Sequence, residues 1–530
     1  MKAGSKIARN AVVVGASTLL SRVLGLVRDM VMTAVYGAGM VADAFYVAFA
    51  IPNLLRRLVG EGALTVAFIS VFTKLREEQG EAEAKKLAAT FWLLMTLILA
   101  GMTALGMVFA REIVTLFTNP EFRSDPVQFE LAVDMTRELF PYLFMIGLVA
   151  LSMGILNSYQ RFFAPAFAPV MLNLAWISAI VLLSGPLLES GIAAMIGVLV
   201  GGALQLALQV PFLFKVAGRT WPGLNFRHPA LKRIGLLMLP SALAVGVVQI
   251  NTLIATYFVT EFPGARAQLY YSNRLTEFPY AIFTLAIATA VLPVLSEQAG
   301  RGDRRALLDT LAYGLKMATF IVIPAAVGLA LIGTPLIQVI FERGSFTAAD
   351  TSETALMLIM ACVGMWAVAA LRILVQAYYA VEDMVTPLVA GAVSLLANGL
   401  LCWLLAAQIG RAGVPLAISL AAVANLLALV ARLPARVGAL GLRDQLRTAI
   451  LTLLATIPMA GLILALNRLP VWERPGELWL KVPMLALAVG GGALLFALAA
   501  YILRVSELNM MLEILKKRLR RKNADTPPTQ

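Results

Sequence analysis

The chain alternates between long apolar runs and short polar breaks. A membrane-spanning helix needs roughly 20 predominantly apolar residues, and about fourteen such runs can be marked along the chain. They begin near residues 9, 40, 87, 130, 163, 190, 232, 265, 306, 350, 384, 412, 446 and 479. Most breaks are short, as at Ser184–Gly191 and Gln408–Gly413, which places successive helices antiparallel in one bundle. The predicted fold class is therefore an all-α integral membrane protein. Two stretches recur: Phe68–Thr73 resembles Val291–Ser296, and Ile155–Gln160 resembles Leu374–Tyr379. They suggest two six-helix halves, 1–220 and 228–437. Two further helices over 445–506 follow, then a basic tail over 507–530. Repeated halves are a transporter architecture.

Composition agrees with lipid as the solvent. Of the 530 residues 60% are apolar and 14% charged. A soluble domain has about 25% charged residues, so too few are present here to cover a water-facing surface. The net charge of +13 would suggest nucleic acid in a soluble protein. In a membrane protein it reports orientation first. Basic loops at Lys215–Arg233, Arg301–Arg305 and Arg432–Arg447, with the tail from Lys516 to Lys522, lie on the side of the termini. By the positive-inside rule both termini are cytoplasmic, and no nucleic-acid partner is expected. Lys2, Lys6 and Arg9 precede the first apolar run. Arg22 and Arg28 interrupt that run and no small-residue cleavage site follows, so it is read as a retained helix rather than a signal peptide.

Catalytic and metal motifs are not found. Cys362 and Cys402 lie in apolar runs without paired spacing, and His228 is the single histidine, so neither a disulfide framework nor a zinc site is expected. No Walker A, HExxH or GxSxG motif occurs. The expectation is a transporter rather than an enzyme, without cofactor or metal, driven by a gradient or by the membrane potential.

Charges inside membrane helices carry the most information, because each costs at least about 2.5–3.5 kcal/mol at the bilayer centre and usually faces a cavity or a partner. The first helix holds Arg22, Arg28 and Asp29; Arg22 and Asp29 share a stripe, and Gly25 between them permits a bend. The second holds Asp43 and then Asn53, Arg56, Arg57 and Glu61, with Gly60-Glu61-Gly62 weakening the helix. The eighth holds Arg274 and Glu277, spaced to pair at i, i+3. Taken singly, each fits a structural salt bridge or a snorkelling side chain, and Arg372 is read as snorkelling. Asn251 and Asn398 are read as interhelical hydrogen-bonding amides. Taken together, the cations outnumber the acids, and arginines suit bidentate binding of phosphate. A cation exporter would carry a buried acid instead.

The blocks Ser21–Asp29, Tyr36–Gly39, Ala42–Phe45, Pro52–Arg57 and Glu61–Ala63, with Asn273–Pro279 further on, resemble the MurJ/MviN family of lipid II flippases. The resemblance implies the fold of the multidrug and toxic-compound extrusion (MATE) transporters. In that fold two six-helix lobes form a V around a cationic cavity, and the last two helices make a groove for a polyprenyl tail. It implies that Arg22, Arg28 and Arg274 line the cavity, that Asp29 and Asp43 contribute, and that Arg56 and Glu61 occupy further family positions. Some members carry a sodium site with an acid on the seventh helix; the comparable stretch Gln249–Asn251 has none. The implied cargo is lipid II, moved from the cytoplasmic to the outer leaflet of the bacterial inner membrane for cell-wall synthesis. The implied partners are membrane lipids and cell-wall synthesis proteins. Asp29, Asp43 and Glu277 are expected to pair with arginines when cargo is absent, limiting the cost of bare buried charge. The rival readings are a flippase for another polyprenyl-linked glycan and a small-solute antiporter; a third, without transport, is a membrane scaffold for cell-wall synthesis enzymes.

Overall fold

The computed structural model describes residues 2–60, 63–183, 185–217, 223–280, 285–474 and 476–511. Every regular element among them is a helix. The chain divides into two compact units, one of Met1–Ala267 with Arg343–Thr347, the other of Gln268–Glu342 with Ala348–Gln530.

The first unit begins with α1 (Lys2–Tyr36), α2 (Met40–Gly60), α3 (Ala63–Gln79) and α4 (Glu81–Val108). Two short helices follow, α5 (Ala110–Phe117) and α6 (Pro120–Ser124). Then come α7 (Pro126–Ser158), α8 (Phe163–Leu182), the single turn α9 (Pro186–Glu189), α10 (Ile192–Ala217) and α11 (Pro229–Val259). Helix α1 runs unbroken through Gly25. The interruption expected at Gly60-Glu61-Gly62 falls between α2 and α3, and Glu61 and Gly62 lie outside the described residues.

Local chemistry explains where several helices start. Asp125 accepts hydrogen bonds from the Val127 and Gln128 amides, with Pro126 in the first turn of α7. Asn119 does the same for Glu121 ahead of Pro120 in α6. His228 caps α11: its Nδ1 accepts from the Ala230 amide, with Pro229 next. In each case proline occupies a position whose N–H would have no helical partner, and the cap side chain satisfies one that does need a partner.

The core of this unit is aromatic. Trp176 on α8 meets Phe45 and Phe49 of α2 edge-on, each at 5.3 Å between ring centroids. Helix α10 lies close against α8 because Gly197 and Gly201, four apart, present no side chain. A Cβ on Gly197 would stand 2.7 Å from Trp176 Cα. In lipid, helices gain little from apolar burial, so such small-residue contacts supply the close packing.

The end of α1 is closed by a short strap, Arg343–Thr347. Ser345 donates from its amide to the Ala34 carbonyl and from its hydroxyl to Val35, both at 2.8 Å. Gly37 and Gly344, each at φ +58°, let the backbones meet. A Cβ on Gly344 would lie 2.1 Å from the Ala34 oxygen, and one on Gly37 2.4 Å from the Ser345 oxygen.

The second unit takes in most of α12 (Ala265–Pro279), then α13 (Leu285–Gly300), α14 (Arg304–Phe341), α15 (Ala348–Val363) and α16 (Met365–Ala380). It continues with α17 (Val385–Ile409), α18 (Gly413–Arg436), α19 (Leu442–Asn467) and α20 (Leu478–Ile502). Its main core joins Leu295, Leu311, Ile373, Leu374 and Leu429 around Tyr378, whose hydroxyl donates to the Leu429 carbonyl at 2.6 Å. Helices α19 and α20 pack on α14 through Met459, Ile463 and Ala488 around Ile332. Helices α15 and α16 meet at Gly364 with a 41° bend. There Ser419 of α18 donates to the carbonyls of Met360 (2.8 Å) and Ala361 (3.3 Å).

Among the described residues eight helical stretches are long and apolar enough to cross a membrane, or nine if the bent pair is one span. The other expected spans fall on α1, α2–α3, α11 and α12–α13. Predicted starts agree closely with the helices: those at 40, 163 and 265 coincide with the first residues of α2, α8 and α12.

Candidate functional site

The predicted intramembrane charges occupy three places. The first is the C-terminal third of α1. Arg28 and Asp29 are buried, with side chains 8% and 1% exposed. The guanidinium donates from Nε (3.0 Å) and Nη2 (2.6 Å) to Asp29 Oδ1. From Nη1 it donates to Asn173 Oδ1 on α8 at 3.2 Å. Its Cζ lies over the Trp176 ring, 4.4 Å from the centroid. Trp176 is held in turn by its indole N–H, which points at Met32 Sδ (3.3 Å), and by the two phenylalanines of α2.

Sequence placed Arg22 and Asp29 on one stripe, with Arg28 to the side. The ion pair forms instead between the sequence neighbours Arg28 and Asp29, because the long arginine side chain folds back along the helix. Arg22 is half-buried and makes no hydrogen bond or ion pair among the described residues.

The second place is the start of α2. Asp43 is 1% exposed. Its Oδ2 accepts from the Gly264 amide at 2.6 Å and its Oδ1 from the Ala267 amide at 2.9 Å. Sequence assigned Asp43 to pairing with arginine; its carboxylate also caps the first turn of α12, where free amides and the positive end of the helix dipole favour an anion. Further along α2, Arg56 donates from Nε to Asn53 Oδ1 at 2.9 Å, an i, i+3 contact. Glu61 lies outside the described residues.

The third place, in the second unit, is α12. Arg274 and Glu277 pair at 3.3 Å as their spacing predicts, with side chains 26% and 60% exposed. On α16, Arg372 lies over the Tyr280 ring at 5.5 Å.

Two residues that sequence reasoning did not select complete the first place. Asn173 accepts from Arg28 and donates from Nδ2 to the Ser21 carbonyl (3.0 Å) and hydroxyl (3.4 Å). Trp176, one turn on, supplies the stacking face. Their i, i+3 spacing on α8 is the signal that could have found them, but it points to α1 only once the packing of α8 on α1 is known. Among the described residues no group of histidine, cysteine and carboxylate side chains is placed to hold a metal ion. The arrangement offers buried and half-buried guanidinium groups, the donor type best matched to phosphate oxygens.

Comparisons with known proteins identify the family. Residues 32–478 match the family model described as lipid II flippase MurJ. The lipid II flippase MurJ of Burkholderia cenocepacia is 36% identical over 426 residues, covering 79% of this chain and 82% of that protein. A solved structure described as lipid II flippase MurJ in an inward closed conformation aligns with a TM-score of 0.75 at 25% identity, covering 93% of this chain and 98% of that one. An inward-facing multidrug resistance MATE family transporter aligns at a TM-score of 0.61 and 17% identity, covering 83% of this chain and 98% of that one, which shows the shared fold. The expected all-helical MATE-like architecture therefore holds, and the chain is a multi-pass membrane protein belonging to the lipid II flippase MurJ family.

Proposed function

We propose that this protein moves lipid II from the cytoplasmic to the outer leaflet of the bacterial inner membrane by alternating access. The observation that carries this reading is the buried Arg28 guanidinium, covered by the Trp176 ring and hydrogen-bonded to Asn173, in a chain whose relatives are named for that cargo. Lipid II joins a diphosphate and a disaccharide–peptide to a long prenyl chain. The prenyl chain stays in lipid, so only the head group needs a polar path. A diphosphate is repelled by hydrocarbon, and guanidinium groups offer it charge-assisted hydrogen bonds.

Arg22 and Arg28 on α1 and Arg274 on α12 are the cations offered to the diphosphate. Asp29 and Glu277 hold Arg28 and Arg274 in the absence of cargo and release them as the phosphate oxygens take over. Asp43, Arg56 and Glu61 support the path on the second helix. The halves 1–220 and 228–437 act as the two lobes, and helices within 445–506 accommodate the prenyl tail. Both termini are cytoplasmic, and the tail over 507–530 stays on that side. Movement of buried charge makes the cycle sensitive to membrane potential, which, or an ion gradient, drives it.

The test is leaflet-resolved lipid II in cells depleted of their own flippase. Wild-type protein at matched membrane levels should restore outer-leaflet lipid II. Insertion without restoration would shift the assignment to another polyprenyl-linked glycan or to a small solute.

A further inference from the structure

We infer that Asn173 is a positioning residue for the cargo's diphosphate: it fixes the orientation of the Arg28 guanidinium by bridging that side chain to Ser21 with an uncharged amide. The inference rests on the functional reading above and extends it to a residue outside the charged set.

The geometry is a two-ended clamp. One end of the Asn173 amide accepts from Arg28 Nη1 at 3.2 Å; the other donates to the Ser21 carbonyl at 3.0 Å. Ser21 and Arg28 are seven residues apart, two turns of α1, so a single side chain from α8 spans both. The direction of the amide is determined by its partners. Reversed, its NH2 group would face the guanidinium, donor against donor, and its oxygen would face the Ser21 carbonyl. Trp176, one turn further along α8, covers the guanidinium with its ring 4.4 Å from Cζ, and Asn173 holds it at Nη1. Asp29 Oδ1 takes the Nε and Nη2 edge of the guanidinium, and Asn173 takes the remaining nitrogen, Nη1.

The amide is suited to this task because it carries no charge. Arg28 and Asp29 together are neutral. A carboxylate at position 173 would make the group net negative beside an incoming diphosphate and would hold Arg28 in a closed pair on two sides. An amide aligns the guanidinium yet gives up its hydrogen bond to a phosphate oxygen at little cost, since a neutral acceptor competes poorly with an ionised one. Asn173 is 6% exposed, so its hydrogen-bonding capacity is committed to the protein rather than to water.

The experiment compares wild type with Asn173→Asp, Asn173→Ala, Arg28→Ala and the Asn173→Ala/Arg28→Ala double variant, purified and reconstituted in liposomes. Three quantities are read: lipid II translocation against lipid II concentration, binding of undecaprenyl diphosphate, and the thermal midpoint. Asn173→Asp is expected to weaken binding by at least about tenfold, and Asn173→Ala by several-fold, a loss larger than any change in its thermal midpoint accounts for. In the Arg28→Ala background the Asn173→Ala change should alter residual binding no further, the non-additivity of two residues acting as one. Wild-type binding by Asn173→Asp overturns the inference. So does an Asn173→Ala defect that adds in full to Arg28→Ala, or one that appears only as a lower thermal midpoint. A wild-type protein that neither binds nor moves lipid II overturns the functional reading itself; a competent wild type, an inactive Arg28→Ala and a competent Asn173→Asp overturn the role of Asn173 alone.

Discussion

Arg28 and Asp29, adjacent in sequence, form a buried ion pair through a single carboxylate oxygen, Oδ1, with Nη2 at 2.6 Å. Adjacent residues on a helix point about 100° apart, so the contact exists only because the arginine side chain bends back towards the acid. Removing one member of a buried pair leaves the other uncompensated. Asp29→Ala should therefore destabilise the folded protein by about 3–5 kcal/mol. Thermal unfolding in detergent checks this, and an unchanged midpoint would mean that Arg28 is neutralised by other groups.

Arg28→Ala and Arg274→Ala should lose transport when compared with wild type at equal membrane amounts. One guanidinium–phosphate contact removed at each site is expected to lower the rate by at least about tenfold, from hydrogen bonds to charged groups worth 1.5–3 kcal/mol. Arg274→Lys should recover more than Arg28→Lys. Arg274 meets Glu277 through one nitrogen at 3.3 Å, whereas Arg28 engages Asp29 from two nitrogens and Asn173 from the third. Leaflet-resolved assays with matched membrane amounts test the order; two equally active lysine variants would show that only charge matters.

Asp43 receives two backbone amides at the start of α12. Asp43→Ala should cost about 1–2 kcal/mol, the loss of a helix cap. Asp43→Asn, which retains an acceptor oxygen, should cost less. Thermal midpoints of the two variants measured side by side test the ranking; equal losses would show that the charge outweighs the capping bonds.

Gly344→Ala should be among the most damaging single methyl additions in the chain. The position combines a positive φ with a Cβ site 2.1 Å from the Ala34 oxygen. Left-handed backbone at a non-glycine residue costs of order 1–3 kcal/mol before any clash. Gly476→Ala is the control: it has a positive φ of +76° and no neighbouring atom within 4 Å. A proteolysis or thermal-melt comparison in which both behave alike would place the whole effect in φ and none in the strap.

Stability should also depend on pH through Asp383, in the turn between α16 and α17. Burial alone would raise its carboxyl. The Thr386 hydroxyl (2.7 Å) and amide (2.9 Å), with Arg436 at 3.5 Å, outweigh that and hold it below the ordinary carboxylate value. A carboxyl lowered by folding gives stability that is present above its unfolded value, near pH 4. That stability is lost as pH falls through the lower folded value. Asp383→Asn should therefore flatten the acid side of the stability profile and leave its slope above pH 5 unchanged. An identical acid limb in the variant would remove Asp383 from the account.

Much of this was readable from residue order. Apolar runs of spanning length gave the helix starts, and charges within them marked Arg28, Asp29 and Arg274. The Arg274–Glu277 pair followed from spacing alone. Asn173 was not readable, because a lone amide in an apolar helix looks the same as Asn251 or Asn398; what distinguishes it is the helix it faces. The second capping role of Asp43 was hidden for the same reason, since its amide donors lie more than two hundred residues away in the chain. The bend at Gly364 was equally hidden. One glycine in an apolar run usually continues the helix, and the hydroxyl that accommodates the break comes from Ser419 on α18.

That bend carries a consequence for how force passes through the second unit. A Cβ on Gly364 would stand 2.6 Å from the Ser419 Cα, so α18 rests directly on the bend, and its hydroxyl occupies the carbonyls that a straightening helix would need to reclaim. The joint is splinted rather than sprung. Helices α15, α16 and α18 should therefore travel as one stiff part, with little bending at this elbow during a transport cycle.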